Sequence, residues 1–245
     1  PTTTAETYAA GGAPYAIATN SFTRTGYTFS GWNTAADGSG TPYSAGAGAN
    51  ISRNLTLYAQ WTANTNTITY NGNGNTDGTV PASGTYVTGA ATAYTVLNNS
   101  GNLVRTGYTF DGWYTTASGT GGTAYAATGS ATLTTSSNLT LFAKWTPINY
   151  NITYGANDGS STPTETQKQI GQSFSLASAI TRAGYTFSGW RNGSTDYPAN
   201  ASFTILSSHL TGLTENTIQF TAQWSPATYT ITYNANGATG TPQRS

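Results

Sequence analysis

The chain contains no cysteine and no methionine, and it has a single histidine among its 245 residues. The lack of cysteine excludes thiolate zinc sites, disulfide frameworks and cysteine nucleophiles. Charged residues make up only 7% of the chain, with eight Lys and Arg balanced by eight Asp and Glu. So few cations cannot form the basic stripe that phosphate neutralisation needs, and we expect no nucleic-acid partner. No run of about 18 apolar residues is present, which predicts no membrane span in this segment.

Aromatic side chains, in contrast to charged ones, are abundant. They make up 13% of the chain and include 6 Trp and 17 Tyr. Segments with few aromatic residues and low hydrophobicity stay disordered because they cannot bury enough apolar surface, whereas these rings offer large areas for burial. We therefore expect the chain to fold.

Three sequence motifs recur in the same order along the chain. The first is Gly-Tyr-Thr-Phe-Ser/Asp-Gly-Trp, the second ends in Gln-Trp or Lys-Trp, and the third is Ile-Thr-Tyr. Internal periodicity of this kind predicts a tandem array of similar structural units. The copies lie at 26–32, 107–113 and 184–190 for the first motif, at 55–61, 139–145 and 218–224 for the second, and at 68–70, 152–154 and 231–233 for the third.

The second motif alternates between apolar and polar residues, as a half-buried β-strand does. In its first copy Leu55, Ala59 and Trp61 share one face. We predict that the six tryptophans belong to the structural core. They are Trp32, Trp61, Trp113, Trp145, Trp190 and Trp224. The rival interpretation is that exposed indoles stack on sugar rings. Tyr58 and Phe142 point to the opposite face, which makes them candidates for a surface that contacts a ligand or another module.

In the first motif, a regular strand would place Trp32 on the face opposite to Tyr27 and Phe29. One extra residue restores the parity, and glycine accepts the positive φ that such a β-bulge requires. We therefore predict a β-bulge at Gly31 and at its two counterparts. The counterparts are Gly112 and Gly189.

Helical periodicity is weak throughout the chain. The segment 171–180 is a candidate for one short helix, and 207–210 is a candidate for a helical turn. Neither has the apolar spacing of a long amphipathic helix. The motifs therefore predict a mainly β fold with at most one short helix in each repeat.

The three motifs in this order resemble the Listeria–Bacteroides repeat, also called the internalin B-repeat. The resemblance extends over essentially the whole chain in three copies. It implies small β-grasp-like (ubiquitin-like) modules, strung in tandem along secreted or cell-surface proteins of bacteria. Members of this family usually act as stalks, adhesive arrays or interaction modules, and no catalytic residues come with the motif.

A register in which each repeat opens with the Ile-Thr-Tyr motif divides the chain into four parts. Residues 1–62 form a first repeat that lacks its opening strand, residues 63–146 a second repeat, and residues 147–225 a third. Residues 226–245 are then the first strand of a following repeat, or a strand donated to a neighbouring subunit.

The end and the beginning of the chain, taken together, have nearly the motif spacing of the second repeat. If residue 245 were followed by residue 1, Ile231 would lie 41 residues before Tyr27, and in the second repeat Ile68 lies 40 residues before Tyr108. We expect either a window of a longer tandem chain or head-to-tail self-association, with Ile231 and Tyr233 on the inter-unit strand. Closure within one molecule is a third possibility. A repeat without its opening strand exposes a sheet edge, and donation between molecules would propagate into a filament.

These observations predict an extracellular structural or adhesive repeat protein that forms an extended stalk or filament. The alternative is a carbohydrate- or host-protein-binding module of a bacterial surface protein. We expect no enzyme, no cofactor and no metal ion. His209 has no triad or metal-ligand spacing beside it, and we expect it on the surface or in a loop. The acidic residues that could pair as in a glycosidase lie in turn-forming sequences: Asp37, Asp77, Asp158 and Asp196.

Overall fold

The computed structural model shows β-strands connected by turns, with one short 3-10 helix and no α-helix among the described residues. The chain divides into two compact units. The first comprises Pro1–Arg105 with Phe110–Trp145, and the second comprises Thr106–Thr109 with Thr146–Ser245. The structure describes residues 5–9, 11, 13–90, 94–126, 130–131, 133, 135–159, 162–164 and 166–243.

The first repeat contains five strands in its described residues: β1 (Tyr15–Ala16), β2 (Tyr27–Asn33), β3 (Pro42–Tyr43), β4 (Gly48–Ala49) and β5 (Tyr58–Ala63). β2 lies between β3 and β5 and is antiparallel to both. β1 and β4 form a separate antiparallel pair. The main sheet of the first repeat therefore has three strands.

The second repeat contains seven strands in its described residues: β6 (Thr65–Asn71), β7 (Gly84–Val87), β8 (Tyr94–Thr95), β9 (Tyr108–Tyr114), β10 (Ala124–Tyr125), β11 (Ser130–Ala131) and β12 (Leu139–Pro147). Five of them form a mixed sheet in the order β10-β9-β12-β6-β7, and β8 pairs with β11. The central strands β6 and β12 are parallel, with Ile68 opposite Leu139 and Tyr70 opposite Leu141.

The third repeat has the same plan, with β13 (Asn149–Gly155), β14 (Thr166–Gln169), β15 (Ser173–Ser175), β16 (Tyr185–Asn192), β17 (Thr195–Tyr197), β18 (Ser202–Thr204) and β19 (Thr217–Pro226). Its main sheet has the order β14-β13-β19-β16-β17, and β15 pairs with β18. The central strands β13 and β19 are parallel, with Ile152 opposite Ile218 and Tyr154 opposite Phe220. In both five-stranded sheets the first and last strands of the repeat are therefore central neighbours.

The predicted β-bulges are confirmed at Gly31 and Gly189. The pairing of β2 with β5 shifts register between Phe29 and Gly31, where φ is 142°. The pairing of β16 with β19 shifts in the same way at Gly189, where φ is 148°. Gly112 also has a positive φ, of 97°. The extra residue turns the following tryptophan towards the preceding phenylalanine, and the ring centroids of Phe29 and Trp32 lie 5.2 Å apart.

In the second and third repeats the tryptophan after the bulge glycine is the more deeply buried of the two. Trp113 and Trp190 have no exposed surface. Trp145 and Trp224, which end the alternating motif, are half-buried and pack against the core clusters of their repeats. In the first repeat both Trp32 and Trp61 are half-buried. Full burial of a large apolar side chain stabilises a fold by roughly 1.5–3 kcal/mol.

The predicted short helix at 171–180 is wrong. Residues Ser173–Ser175 form β15, and Phe174 pairs with Phe203 of β18 at a ring-centroid distance of 5.7 Å. Phe174 and Leu176 thus face the core at a spacing of two residues, which a strand provides and a helix does not. The predicted helical turn is confirmed as a 3-10 helix at Ser207–His209.

Candidate functional site

The outer edge of β5 has no strand beside it among the described residues. In the second repeat the matching strand β12 begins at Leu139 and pairs on that edge with β6. In the first repeat no described strand lies there, and β5 begins only at Tyr58. Leu55 and Leu57, which match Leu139 and Leu141, therefore lie outside any strand. We call the edge formed by residues 55–61 the open edge.

Side chains at the open edge are less buried than their counterparts. Leu57 and Ala59 are half-buried. In the second repeat Leu141 and Ala143, which occupy the same positions, have no exposed surface. The difference follows from the missing neighbour, because β6 covers this part of the core in the second repeat.

The Trp61 indole N–H lacks the acceptor that its counterparts have. Trp145 Nε1 donates to the carbonyl oxygen of Gly72 at 3.0 Å, and Trp224 Nε1 donates to that of Ala156 at 3.2 Å. Both acceptors lie just after the opening strand of their repeat. Within the described residues Trp61 Nε1 has no hydrogen-bond partner. The open edge thus leaves a polar group as well as apolar surface for a further strand.

The tail, residues 226–245, carries an apolar stripe that matches a buried one. Tyr229, Ile231 and Tyr233 are exposed by 75%, 75% and 69%. The same three residue types at the same spacing in β13 are exposed by 4%, 0% and 8%. Those β13 residues are Tyr150, Ile152 and Tyr154. Between residues 227 and 243 the chain forms no strand, since its backbone groups have no neighbouring strand to pair with.

The end of this stripe has the backbone turn that follows an opening strand. Asn236 has a φ of 47°, and its N–H donates to the side-chain oxygen of Asn234 at 2.8 Å. Asn73 in the second repeat has a φ of 48° and an N–H that donates to the Asn71 side chain at 2.8 Å. There the Asn73 side chain also donates to the carbonyl of Ala143 at 2.9 Å. The tail therefore has the turn geometry of an opening strand without a sheet to join.

A hydrogen-bonded link connects each opening strand to the buried tryptophan. In the second repeat the Leu97 N–H donates to Tyr70 Oη and the Leu97 carbonyl accepts from Trp113 Nε1, both at 2.9 Å. In the first repeat Trp32 Nε1 donates to the Ala18 carbonyl at 2.9 Å, and no described tyrosine meets the Ala18 N–H. Burial raises the pKa of Tyr70 and Tyr154 in the complete repeats.

An arginine just before the first motif was missed by the sequence reasoning. The Arg24 guanidinium lies 3.8 Å from the ring centre of Tyr27, and that of Arg182 lies 4.0 Å from the ring centre of Tyr185. We call this arrangement, with the glycine before each tyrosine, the Arg-Gly-Tyr corner. The available signal was an arginine three residues before each motif tyrosine, at 24, 105 and 182.

His209 and Asp37 have local structural partners. His209 Nδ1 accepts from the Leu206 N–H at 3.0 Å, and its ring lies 4.7 Å from that of Phe203. Asp37 accepts from the N–H and hydroxyl of Ser39, and these hydrogen bonds lower its pKa. In the part of the chain that the structure describes, no three His, Cys, Asp or Glu side chains are placed to hold a metal ion.

Two acidic residues form exposed ion pairs. Arg191 makes two hydrogen bonds of 2.7 Å to Asp196. These hydrogen bonds lower the pKa of the Asp196 carboxyl group. Lys144 Nζ lies 2.9 Å from Asp111. Exposed pairs of this kind contribute little to stability.

The described residues include no helix long and apolar enough to cross a membrane.

The faces that could contact a ligand differ in exposure. Tyr58 is exposed, whereas Phe142 is half-buried in β12. Trp32 is half-buried and makes an edge contact with Phe22 at a centroid distance of 6.2 Å. The most exposed aromatic rings that the structure describes, Tyr229 and Tyr233, belong to the tail.

Comparison with known proteins identifies relatives over most of the chain. A protein of Evansella cellulosilytica named as a Gly-rich membrane protein is 31% identical over 87% of this chain. Internalin H of Listeria monocytogenes is 34% identical over 51% of the chain. The alignments cover 24% and 20% of those two proteins, so the chain spans about a quarter of the length of its relatives or less.

The model of the Listeria-Bacteroides repeat domain matches the chain three times, at residues 2–60, 67–144 and 150–211. The second match covers most of the five-stranded sheet of the second repeat, the third match covers the third repeat up to the residues before β19, and the first covers the repeat with the open edge. The resemblance seen in the three sequence motifs is therefore confirmed. The chain belongs to the Listeria-Bacteroides repeat family and contains three tandem copies of its domain.

Proposed function

We propose that this chain is an extracellular structural protein of the bacterial cell surface, without catalytic activity, that forms an extended stalk or filament. In this proposal each tail supplies the missing opening strand of the first repeat in another copy. The observation that carries it is the match between the exposed stripe Tyr229, Ile231 and Tyr233 and the buried stripe of β13. The names of its relatives, a Gly-rich membrane protein and an internalin, support the location.

We further propose that each repeat is a β-grasp-like module. The support is the parallel pairing of first and last strands at the centre of each five-stranded sheet. In chain order, β8 and β15 come after the first two strands of their repeats, where ubiquitin-like folds have a helix. On this plan no described strand of the first repeat corresponds to the first two strands of the other repeats, and the open edge is the position of the first.

The first repeat already has the aromatic geometry that would receive the tail. Phe29 lies 5.2 Å from Trp32 and 5.7 Å from Trp61, measured between ring centroids. In the second repeat the corresponding distances from Phe110 are 5.2 and 5.6 Å, and Tyr70 lies 4.8 Å from Trp113. Tyr233 would take the place of Tyr70 in the neighbouring copy. Preorganised partners reduce the ordering cost of association.

Matched hydrogen bonds define the register of the donated strand. The Tyr233 hydroxyl would accept from the Ala18 N–H, as Tyr70 accepts from Leu97. Trp61 Nε1 would donate to the Ala235 carbonyl, as Trp224 donates to Ala156. The Asn236 side chain would donate to the Ala59 carbonyl, as Asn73 donates to Ala143. In each contact, a polar group of the tail or of the first repeat would make the hydrogen bond that its counterpart makes in a complete repeat.

The balance of charge favours association. Eight Lys and Arg side chains cancel eight Asp and Glu side chains, so copies of the chain do not repel one another through net charge. Burial of the three tail side chains would stabilise the contact by roughly 1.5–3 kcal/mol each. The ordering of the tail backbone opposes part of this gain.

The test is the state of association of the full chain and of the variant Ile231→Asp. We expect the full chain to form concentration-dependent oligomers in light scattering and linear fibres in electron microscopy, and the variant to remain monomeric. Val80→Asp, at another exposed aliphatic residue, is the matched control and should assemble normally. A full chain that stays strictly monomeric at high concentration would contradict the proposal.

A peptide of residues 226–243 separates the two halves of the contact. We expect it to bind the Ile231→Asp chain, whose open edge is intact, and to change the fluorescence of that chain. The same peptide carrying Ile231→Asp should not bind. Failure of the unmodified peptide to bind would show that the open edge does not accept this strand.

A further inference from the structure

A cleft of about 310 Å³ lies in the third repeat between β14 and β15. Lys168 of β14 and Phe174 of β15 line it, and Tyr154 of the adjoining strand β13 lines it from within the repeat. Its volume is at the lower end of the range for pockets that bind small molecules. The cleft is therefore large enough for one small ring.

The Tyr154 hydroxyl is an unused hydrogen-bond donor at this cleft. The residue is only 8% exposed, and its Oη accepts from the Ala177 N–H at 3.0 Å. A tyrosine hydroxyl can also donate one hydrogen bond, and within the described residues the Tyr154 hydroxyl donates to no acceptor. A buried donor without an acceptor is costly. The cleft thus offers a buried donor to an acceptor atom from outside the chain.

The second repeat fills the corresponding position with its own side chains. Tyr70, the counterpart of Tyr154, has its Oη 3.4 Å from Tyr94 Oη. The Tyr94 ring packs over Gly84, since a Cβ atom on that glycine would lie 2.9 Å from the ring. Tyr86, two residues further along the same strand, is buried. A tyrosine of the second repeat therefore meets the hydroxyl that is left without an acceptor in the third.

Three differences in sequence between the two repeats account for the cleft. At matched positions of the paired strands, a glycine and two tyrosines of the second repeat correspond to a threonine, a lysine and a phenylalanine of the third. The pairs are Gly84 and Thr166, Tyr86 and Lys168, and Tyr94 and Phe174. The third repeat thus lacks two ring hydroxyls and one buried ring, and it has a cation instead.

The side chains around the cleft are rich in hydrogen-bond donors. Lys168 Nζ lies 5.9 Å from the centre of the Phe174 ring, and in the part of the chain that the structure describes no carboxylate forms an ion pair with it. Thr164 and Thr166 add hydroxyl groups, and Pro163 adds apolar surface. Hydrogen bonds from an ammonium group to a carboxylate are about twice as strong as neutral ones. This lining favours a compact ligand that carries a carboxylate and several hydroxyl groups.

We infer that the cleft binds an acidic sugar, in the form of one pyranose ring with a carboxylate group. Lys168 would bind the carboxylate, and the Tyr154 hydroxyl would donate to an oxygen atom of the sugar. Phe174 would pack against the C–H groups of the ring. Sugar hydroxyls both donate and accept, so they match the threonine hydroxyls at the cleft. The site goes beyond the proposed assembly and does not depend on it, because it uses neither the open edge nor the tail.

Saturation-transfer NMR on the full chain tests this inference, with glucuronate as the probe and glucose as the neutral control. We expect glucuronate to bind at least about tenfold more tightly than glucose, since only glucuronate can pair with Lys168. Acetate, which has the carboxylate without the ring, should bind more weakly than glucuronate. Equal binding of glucuronate and glucose would overturn the inference, and so would binding of acetate as tight as that of glucuronate.

The substitution Lys168→Gln tests the role of the cation. It should weaken the binding of glucuronate about tenfold and leave that of glucose unchanged. Lys144→Gln is the matched control, because Lys144 is the only other lysine of the chain and lies in the second repeat, paired with Asp111. It should bind glucuronate as the unmodified chain does. Equal binding of glucuronate by the two variants would contradict the assignment of Lys168.

A double variant closes the cleft with residues that the second repeat already uses. Thr166→Gly combined with Phe174→Tyr gives the third repeat the glycine and tyrosine of the second, so the new hydroxyl can meet Tyr154 Oη. We expect it to bind glucuronate at least about tenfold more weakly and to unfold thermally no earlier than the unmodified chain. Unchanged binding by the folded double variant would show that the sugar does not occupy this cleft and would overturn the inference.

Discussion

The rings of Tyr154 and Trp190 meet edge to face with their centroids 4.8 Å apart, and both are hydrogen bonded to Ala177. The Ala177 N–H donates to Tyr154 Oη at 3.0 Å, and its carbonyl accepts from Trp190 Nε1 at 2.9 Å. This arrangement fixes the opening strand, the loop before β16 and the bulged strand to one another. The second repeat has the same arrangement, formed by Tyr70, Trp113 and Leu97.

The two tryptophans of a repeat are predicted to differ in their contribution to stability. Trp190 has no exposed surface, so Trp190→Ala should lower the free energy of unfolding by about 3–5 kcal/mol, the usual cost of such a cavity. Trp224 is half-buried, and Trp224→Ala should cost clearly less. Urea unfolding followed by circular dichroism measures both. Equal losses of unfolding free energy in the two variants would show that the difference in burial does not determine how much each tryptophan contributes to stability.

Alkaline pH is predicted to destabilise the complete repeats. Burial raises the pKa of Tyr154 and of Tyr150 in the folded chain. A raised pKa of this kind gives stability that is fully present below the ordinary tyrosine pKa of about 10 and is lost as pH rises through the folded value. The midpoint of urea unfolding should therefore fall above pH ~10. Tyr154→Phe should make that fall shallower, whereas Tyr229→Phe, at an exposed ring, should not.

The bulge at Gly189 is predicted to tolerate no side chain. A Cβ atom there would lie 2.6 Å from the Tyr197 carbonyl oxygen, at a φ of 148°. Gly189→Ala should therefore destabilise the third repeat by more than about 2 kcal/mol, since strain and collision combine. Gly193→Ala is the control, because Gly193 also has a positive φ but has nothing near its Cβ position. A similar fall in the unfolding temperature of both variants would show that the collision with the Tyr197 carbonyl oxygen does not contribute to the loss of stability.

The strands and bulges were predictable because they depend on local sequence. Period-two alternation identified β12 and β19, and the parity of Phe187 and Trp190 identified the bulge between them. The relative burial of the tryptophans was not predictable in this way. Trp190 lies beneath the opening strand and the small sheet of its repeat, so its burial depends on pairs of residues far apart in sequence.

The segment 171–180 was mispredicted and the Arg-Gly-Tyr corner was missed because both depend on contacts between side chains that the motifs do not show. Serine and alanine in 171–180 have no strong preference that excludes a helix, and the strand there forms because Phe174 meets Phe203. Arg182 stacks on a tyrosine only three residues away, but the repeat motif was read from its glycine onwards. The place of the motif glycines at junctions between repeats is visible only from the contacts around Gly26 and Gly107 in the folded chain.

The last prediction compares one substitution at two matched turns. Asn73 and Asn236 have φ values of 48° and 47° and equivalent side-chain contacts to their N–H groups. Asn73→Gly keeps the positive φ and removes side-chain hydrogen bonds of 2.9 Å to the carbonyls of Ala117 and Ala143. Each such bond contributes about 0.5–1.5 kcal/mol, so the second repeat should lose about 1–3 kcal/mol of stability.

Asn236→Gly should leave the stability of the monomer unchanged, because the tail belongs to no sheet in the single chain. It should instead weaken assembly, since the Asn236 side chain would bond to Ala59 of the next copy. Thermal unfolding of the dilute monomer and light scattering of the concentrated chain measure the two effects separately. A loss of monomer stability with unchanged assembly would mean that the tail folds onto its own chain, and would contradict strand donation between molecules.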